Sequence, residues 1–257
     1  MQDLLNIIFE DSEMLVVNKP SGLVCHPTKG DEYSSLISRV RLYLDGTLKS
    51  VPALDAPPGH SAHLINRLDR ETSGLVLLGK NPESAGSLGK AFEARTVQKE
   101  YLAIVHGHVK EASGNIATAL GKDLNSVIHI KDCVTTEGAL SETGYSVLNR
   151  FENEHGRFSL LKISPKTGRK HQIRIHLQHI GHSIVGDKMY GGNEDLYMAL
   201  VQNRLTDDQR KELLTPAQTL HASRLQFTWR NFDYDFSAPP EKWFIEFAQM
   251  KPTVLSP

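Results

Sequence analysis

Asp69 is the residue whose type and neighbours could most directly carry out chemistry in this chain. It stands between Arg67 and Arg70, shortly before the apolar run 75–78, which is typical of a buried strand. Positive charge on both sides favours the ionised form of a carboxylate. The pattern predicts a nucleophile or general base held on a loop, and a structural ion pair is the simpler alternative.

A basic segment in the second half of the chain could bind a polyanion. Residues 155–186 include no Asp or Glu. Contacts with phosphates depend on local positive potential rather than on the net charge of a chain. We therefore expect this segment to hold a polyanion, with a solvated basic surface as the alternative. Its charged and titratable residues include Arg157, Lys162, Lys166, Arg169, Lys170, Arg174, His171, His176, His179 and His182.

The histidines of this segment also raise the question of a metal site, because histidines three or four residues apart on a helix can bind zinc. No carboxylate or cysteine stands nearby to complete a ligand set, and Lys170 and Arg174 would repel a cation. Gly191 and Gly192 are not followed by the Lys-Ser/Thr pair of a nucleotide-binding loop. The sequence therefore predicts no metal and no cofactor.

The pattern of apolar residues predicts one α+β domain, 1–257 with its core at about 8–230, built on a mixed, largely antiparallel sheet with flanking helices and a catalytic cleft. Strands are predicted where apolar residues alternate or run together, and helices where they recur at helical spacing. The predicted strands are 14–24 (interrupted by a turn), 75–79, 100–109, 144–150, 158–164 and 220–229. The predicted helices are 33–44, 84–95, 170–180 (ended by Gly181) and 206–214, and the main loops are 45–62 and 192–219.

Composition limits the class of protein. The chain has 257 residues, of which 39% are hydrophobic and 23% charged, as expected for a globular protein with a packed core. No run approaches the ~20 apolar residues of a membrane span, and the first residues lack the pattern of a secretory signal. Cys25 and Cys133 are too few for a disulfide framework. We expect a cytoplasmic monomer.

Four sequence blocks stand in a fixed order along the chain: VNKPSGL at 17–23, RLDRETSG at 67–74, KEYLA at 99–103 and TGRKHQIRIHL at 167–177, followed by Gly186-Asp187, Tyr190-Gly191 and a further match at 220–227. Together these blocks resemble the RluA-type pseudouridine synthases, which modify RNA. The resemblance covers residues from about 8 to about 230. One position departs from it, because Asn66 stands where the family usually has His. The chain also begins directly at the catalytic part, so no separate N-terminal RNA-binding module is expected.

The resemblance implies that the protein isomerises uridine in rRNA or tRNA to pseudouridine on a flipped-out nucleotide, without a cofactor. Asp69 would attack C1′ of the ribose or remove a proton from C2′, and the sequence does not separate these routes. Arg174 would pair with Asp69 and keep it charged. Tyr101 would stack on the target base, with a half-buried strand aromatic as the plainer interpretation.

The resemblance also implies contacts with RNA. Arg67 would help to fill the gap that the extruded base leaves, and Arg169, Lys170 and His171 would lie near phosphates. Lys99, just before Tyr101, is a further candidate for RNA binding. A non-catalytic RNA-binding protein on the same scaffold is the main alternative function, and a metallohydrolase comes third.

Overall fold

The computed structural model of the protein describes residues 4–27, 34–46 and 61–250. The chain divides into two compact units. The first comprises Met1–Lys99 and Ala222–Glu241, and the second comprises Glu100–His221 and Lys242–Ser256. Each unit is described by itself below. That the whole chain acts as a single catalytic domain stays a prediction.

The described residues form eleven strands and six helices, as expected for an α+β protein. The strands are β1 (Ile7–Glu10), β2 (Met14–Lys19), β3 (His63–Leu64), β4 (Ser73–Gly79), β5 (Gln98–His106), β6 (Ser113–Lys122), β7 (Asp132–Val134), β8 (Ala139–Asn153), β9 (Gly156–Pro165), β10 (Leu220–Trp229) and β11 (Phe232–Ser237). The helices are α1 (Leu36–Leu44), α2 (Pro82–Glu93), α3 (Gln172–His179), α4 (Glu194–Val201), α5 (Asp207–Leu213) and α6 (Lys242–Phe247).

The first unit is organised around β4, which is buried along its whole length. β4 pairs antiparallel with both β2 and β3, and its uninterrupted apolar run fits a strand that is covered on both faces. On one face, Leu75 and Leu77 pack with Val16 of β2, Leu88 of α2 and Phe227 of β10. A rigid strand therefore follows directly after the loop that carries Asp69.

Helix α2 begins at Pro82, two residues before the predicted start at 84, and its first residues explain why. The side chain of Asn81 caps the helix by accepting a hydrogen bond from the Ser84 amide, and Pro82 occupies the first turn. Proline is tolerated there because the first amides of a helix have no partner inside it. These two residues fix the point at which the chain leaves β4 and enters the helix.

The second unit contains an antiparallel sheet in the order β5-β9-β8-β6-β7. Ile173 and Leu177 of α3 belong to the same buried cluster as Ala103 and Val105 of β5 and Leu161 of β9. The apolar face of α3 thus packs on this sheet. This packing fixes the helix that carries Arg174.

Most of the predicted elements are present, with shifted ends. The strand predicted at 14–24 ends at Lys19, and the strand predicted at 144–150 extends over Ala139–Asn153. Helix α3, predicted at 170–180, begins at Gln172. His171 has φ +55°, in the left-handed region, so the helix cannot extend back through it. Gly181 ends α3 with φ +81°, as predicted, and its amide donates to the Gln178 carbonyl.

Several other elements were not predicted: β1, β3, β6, β7, β11, α4 and α6. The region 192–219, predicted to be mainly loop, holds α4 in addition to the predicted α5. Most of the predicted loop 45–62 lies outside the described residues, as do the start of the predicted helix 33–44 and the C-terminal prolines at 252 and 257. Among the described helices, none is long and apolar enough to cross a membrane.

A neutral histidine is buried beneath the sheet of the second unit. His176 of α3 has no solvent exposure, and its Nε2 lies 3.2 Å from Ser141 Oγ, which itself donates to the Thr118 carbonyl. His176 Nε2 must therefore be the donor to Ser141. His176 Nδ1 has no hydrogen-bond partner among the described residues. Burial, and then the neighbouring His179, lowers the pKa of His176 from 6.5 to about 4.

Because His176 is buried in its neutral form, we expect the protein to lose stability in mild acid. The folded state resists protonation of His176, whereas the unfolded chain accepts a proton near its ordinary pKa. The contribution of neutral His176 to the free energy of unfolding is therefore complete above pH 6.5 and decreases as the pH falls towards 4. The total decrease is about 2–3 kcal/mol. Urea unfolding between pH 4 and 8 measures this pH dependence of the free energy of unfolding. The variant His176→Asn should lose the part that is due to His176. The control is His129→Asn, at an exposed position. Equal pH dependence in all three proteins would contradict the prediction.

Candidate active site

The loop that carries Asp69 is held between β3 and β4. Leu68 is buried, Asp69 is half-buried, and Arg67 and Arg70 are exposed. The Leu68 amide donates to Cys25 Sγ, and that thiol lies 3.4 Å from the Leu68 carbonyl oxygen. The Thr72 amide donates to the Asp69 carbonyl at 3.2 Å, which closes a tight turn. The loop is therefore anchored at Leu68 while Asp69 remains accessible to a substrate.

Asn66 joins the same loop to β4 through both ends of its amide. Its Nδ2 donates to the Leu75 carbonyl at 3.2 Å, and its Oδ1 accepts from the Leu77 amide at 2.8 Å. One side chain thus satisfies two backbone groups on the strand that follows Asp69. The start of the loop cannot move without breaking both bonds.

The ammonium group of Lys19 fixes the other side of the loop. Lys19 is fully buried, and its Nζ donates to the carbonyls of Leu23 at 2.8 Å, Pro20 at 2.9 Å and Arg70 at 3.2 Å. Burial lowers the pKa of Lys19 to about 8, although Cys25, Glu241 and Asp69 counteract this effect. At neutral pH the group is still mainly protonated, so it can donate all three bonds.

Arg70 adds a second connection between the Asp69 loop and the turn after β2. Its Nε donates to the Gly22 carbonyl at 3.2 Å, and the Gly22 amide donates to the Arg70 carbonyl at 2.8 Å. The blocks 17–23 and 67–74 are therefore bound to each other. Within the first unit they form one platform beneath Asp69.

Tyr101 lies on β5 in the second unit. It is opposite Ile163 of β9 and packs, half-buried, against the cluster that includes Ala103 and Ile173. The backbone of a central strand fixes its position, and part of the ring stays accessible. This is the combination that a stacking residue requires.

Arg174 is nearly buried, with 7% exposure, and is held by Asp187. Its Nε and Nη2 donate to the two carboxylate oxygens of Asp187 at 2.7 and 2.9 Å. Its guanidinium carbon lies 4.8 Å from the ring centre of Tyr190, which is a cation–π contact. The guanidinium is thus fixed by a bidentate pair on one edge and by an aromatic face.

Asp187 is a site residue for which sequence reasoning gave no role. Its Oδ1 also accepts from the amides of Met189 and Tyr190, both at 2.9 Å. Burial alone would raise the pKa of this carboxyl, but the charge of Arg174 and these hydrogen bonds outweigh burial and hold the pKa below its ordinary value. A signal was available, because a buried Arg needs an acidic partner and Asp187 is the first acid after the acid-free segment 155–186.

Gly186 allows Asp187 to take this position. It has φ +77°, and a Cβ at this residue would lie 2.6 Å from the Ala217 carbonyl oxygen and against Thr215 Oγ1. Only glycine fits such a backbone and such a close approach. The Gly-Asp pair of the sequence block is therefore explained by packing and by charge.

The candidate RNA-binding residues differ in their surroundings. Arg67 and Arg169 are exposed. Lys99 is half-buried, and burial together with the positive charge of Arg95 lowers its pKa. Lys170 Nζ lies 2.9 Å from Asp132 Oδ2, and His171 Nδ1 lies 2.9 Å from the Tyr190 hydroxyl. These last two are therefore partly engaged within the protein.

The predicted catalytic residues fall in two units: Tyr101 and Arg174 belong to the second, and Asp69 belongs to the first. The pairing of Arg174 with Asp69 stays a prediction.

Within the described residues, no group of three His, Cys, Asp or Glu side chains is arranged to hold a metal ion. A cavity of about 420 Å³ in the second unit is lined by residues 153–155 and 214–216 and by side chains of α6, and none of the predicted site residues lines it.

Comparisons with known proteins agree with this geometry. Residues 13–179 match the sequence model of the family described as RNA pseudouridylate synthase. This match covers more than half of the chain and includes Asp69, Tyr101 and Arg174. The chain belongs to the RNA pseudouridylate synthase family. The resemblance to RluA-type enzymes that the sequence predicts is thereby confirmed.

Named relatives come from several bacteria. The chain is 32% identical over 247 residues to ribosomal large subunit pseudouridine synthase D of Zymomonas mobilis, covering 93% of this chain and 71% of the relative. It is 35% identical to the protein of the same name from Pseudomonas aeruginosa, covering 88% and 64%. It is also 35% identical to an uncharacterized RNA pseudouridine synthase of Chlorobaculum parvum, covering 87% and 66%. The chain thus spans about two thirds of the length of these relatives.

Solved structures show the same fold. Human RNA pseudouridylate synthase domain containing 1 superposes with a TM-score of 0.69 at 25% identity, covering 93% of this chain and 85% of that one. Human RNA pseudouridylate synthase domain containing 4 gives a TM-score of 0.71 at 23% identity, covering 95% and 92%. The predicted fold class, that of the pseudouridylate synthases, is confirmed.

Asn66, where the family usually has His, keeps a hydrogen-bonding function. Its amide makes the two bonds to β4 that orient the loop before Asp69. In this chain the Asn66 amide therefore orients the loop.

Lys19→Met should destabilise the first unit. The methionine fills a similar volume but leaves the carbonyls of Pro20, Leu23 and Arg70 without the ammonium donor, which costs about 2 kcal/mol or more of unfolding free energy. Urea unfolding at pH 7 measures this loss. Lys90→Met, at an exposed position on α2, is the matched control and should change little. Equal stability of the two variants would show that Lys19 does not anchor the loop.

Asp187→Asn should destabilise the second unit by about 3 kcal/mol, because it leaves the nearly buried Arg174 without its counter-charge. The control is Asp208→Asn, which breaks an exposed pair with Lys211 and should cost less than about 0.5 kcal/mol. Thermal and urea unfolding compare the two variants. A similar small effect for both would mean that the Arg174–Asp187 pair contributes no more than a surface pair.

Proposed function

We propose that this protein is an RNA pseudouridine synthase that converts uridine to pseudouridine within RNA. The observation that carries the proposal is Asp69, a half-buried carboxylate on a loop anchored by Lys19 and Asn66, in a chain that belongs to this family. The named bacterial relatives are ribosomal large subunit synthases. Large-subunit rRNA is therefore the first candidate substrate, and tRNA is the second.

The reaction requires one well-placed carboxylate. The N1–C1′ bond must break, the uracil must turn, and a bond from C5 to C1′ must form. The proton on C5 must then leave, and N1 must gain one. Asp69 either attacks C1′ or removes the C2′ proton, and in both cases it must be ionised.

Tyr101 and Arg174 complete the proposed catalytic set. The accessible part of the Tyr101 ring stacks on the extruded base, and its hydroxyl is available to move a proton. Arg174 pairs with Asp69 and aims it. Because Nε and Nη2 of Arg174 already bind Asp187, the guanidinium keeps its orientation when the substrate enters.

RNA is held by the basic residues around this set. Arg67 occupies the gap in the stack that the flipped uridine leaves, which offsets part of the few kcal/mol that flipping costs. Arg169, Lys170, His171 and Lys99 contact phosphates. No residue of this scheme requires a metal or a cofactor. On the sequence evidence we also propose a cytoplasmic location and a monomeric state.

Asp69→Asn should abolish pseudouridine formation and leave RNA binding within about twofold of the wild type, because the amide keeps the shape but cannot act as nucleophile or base. The assay incubates the protein with transcribed large-subunit rRNA and tRNA and maps pseudouridine chemically. Asp45→Asn, at an exposed position of the same unit, is the matched control and should keep full turnover.

Three outcomes would contradict the proposal. Full turnover by Asp69→Asn would refute the role of Asp69. RNA binding by the wild type without any modified uridine would favour the non-catalytic RNA-binding alternative. Turnover that requires added metal after treatment with a chelator would favour a metal-dependent enzyme.

A further inference from the structure

Three exposed apolar side chains are grouped on the β6–β7 loop, residues 123–131. Leu124 is 86% exposed, Val127 is 72% exposed and Ile130 is 49% exposed. Among the described residues, seven large apolar side chains are exposed, and three of them fall within this short stretch. Isolated exposed apolar residues are ordinary, whereas a group of them marks a contact surface.

The β6–β7 loop is firmly held although its tip is exposed. Ile128 is 3% exposed and packs in a cluster with Ile175 and Tyr190. Ser126 Oγ donates to the carboxylate of Glu194 at 2.8 Å, and Lys131 Nζ lies 2.6 Å from the same group. The three apolar side chains therefore project from a fixed base. A binding partner would not have to order this segment.

This loop adjoins the basic turn before α3. Asp132, directly after the loop, forms an ion pair with Lys170 at 2.9 Å, and its amide donates to the Tyr190 hydroxyl at 3.2 Å. Tyr190 is also the aromatic ring against which Arg174 lies. The exposed apolar residues are thus anchored on the residues that surround the candidate phosphate contacts.

The charges around the loop suit an anionic partner. Each acid that holds the loop is within 4 Å of a lysine: Asp123 and Glu194 lie near Lys131, and Asp132 lies near Lys170. Lys122 and Arg169 flank this region and are exposed. No ion-pair partner for these two is found among the described residues. Because Lys131 faces two carboxylates, the pairs themselves leave one negative charge, and Lys122 and Arg169 bring the sum of these groups to +1.

We propose that the β6–β7 loop is a contact for the RNA substrate, with Leu124, Val127 and Ile130 packing against bases that are unstacked next to the target uridine. This inference rests on the proposed function. A flipped uridine leaves apolar base faces uncovered, and Leu and Ile side chains serve elsewhere as wedges between base steps. The positive charges beside the loop hold the phosphates of the same nucleotides.

The test uses the full chain with serine at the three tip positions (Leu124→Ser, Val127→Ser, Ile130→Ser). A matched triple variant carries Leu148→Ser, Val201→Ser and Phe232→Ser, which are also exposed apolar residues but lie outside the loop. Thermal unfolding first checks that both variants are folded, with midpoints within about 2 °C of the wild type. The probe is an rRNA fragment that contains the target uridine found in the pseudouridine map. A 2-aminopurine placed next to this uridine reports unstacking.

The tip variant should bind this RNA at least about tenfold more weakly than the wild type. The salt dependence of binding should not change, because the removed groups release no counterions. The rise in 2-aminopurine fluorescence on binding should also be lost. The matched variant should stay within about twofold of the wild type in affinity.

The inference is overturned if the tip variant binds and unstacks the RNA as the wild type does. It is also overturned if the tip variant keeps its RNA affinity and instead abolishes self-association of the wild type in sedimentation, because the loop would then contact a second copy. If the wild type forms no pseudouridine, the proposed function fails separately. The affinity comparison is then made on transcribed large-subunit rRNA, and equal affinity of the two proteins would reject the loop contact there as well.

Discussion

A buried charge must be matched by partners, and this constraint organises the candidate functional residues within each unit. In the first unit the Lys19 ammonium is surrounded by three carbonyls, one of which belongs to the Asp69 loop. In the second unit the Arg174 guanidinium is matched by Asp187. An uncompensated charge in either position would cost several kcal/mol. The geometry around Asp69 and Arg174 is therefore fixed by electrostatics as much as by apolar packing.

The sequence predicts well the elements that depend on local patterns. The continuous apolar run of β4 and the Gly181 end of α3 each follow from a few neighbouring residues. The start of α3 was wrong because the left-handed backbone of His171 depends on the surrounding turn. Strands β6 and β7 were missed because their residues are mostly half-exposed and carry no strong apolar pattern.

The same difference between local sequence pattern and long-range contact applies to the candidate site residues. The motif residues could be found from the sequence because their types and order are specific. The pairing of Arg174 with Asp187 was not predicted, because the two meet through the packing of α3 on the sheet and the close approach at Gly186. Likewise, the function of Asn66 depends on β4 lying beside it. Long-range contacts of this kind decide what a side chain does once its position is known.

The account depends on Asp69 acting on uridine in RNA. The most direct test compares chemical pseudouridine maps of total RNA from wild-type cells and from a strain in which the gene is deleted. The deletion strain is also complemented with either the wild-type gene or the Asp69→Asn gene. We expect a small, defined set of positions to lose pseudouridine on deletion and to regain it only with the wild-type gene. Unchanged maps after deletion, or restoration by the asparagine variant, would contradict the account.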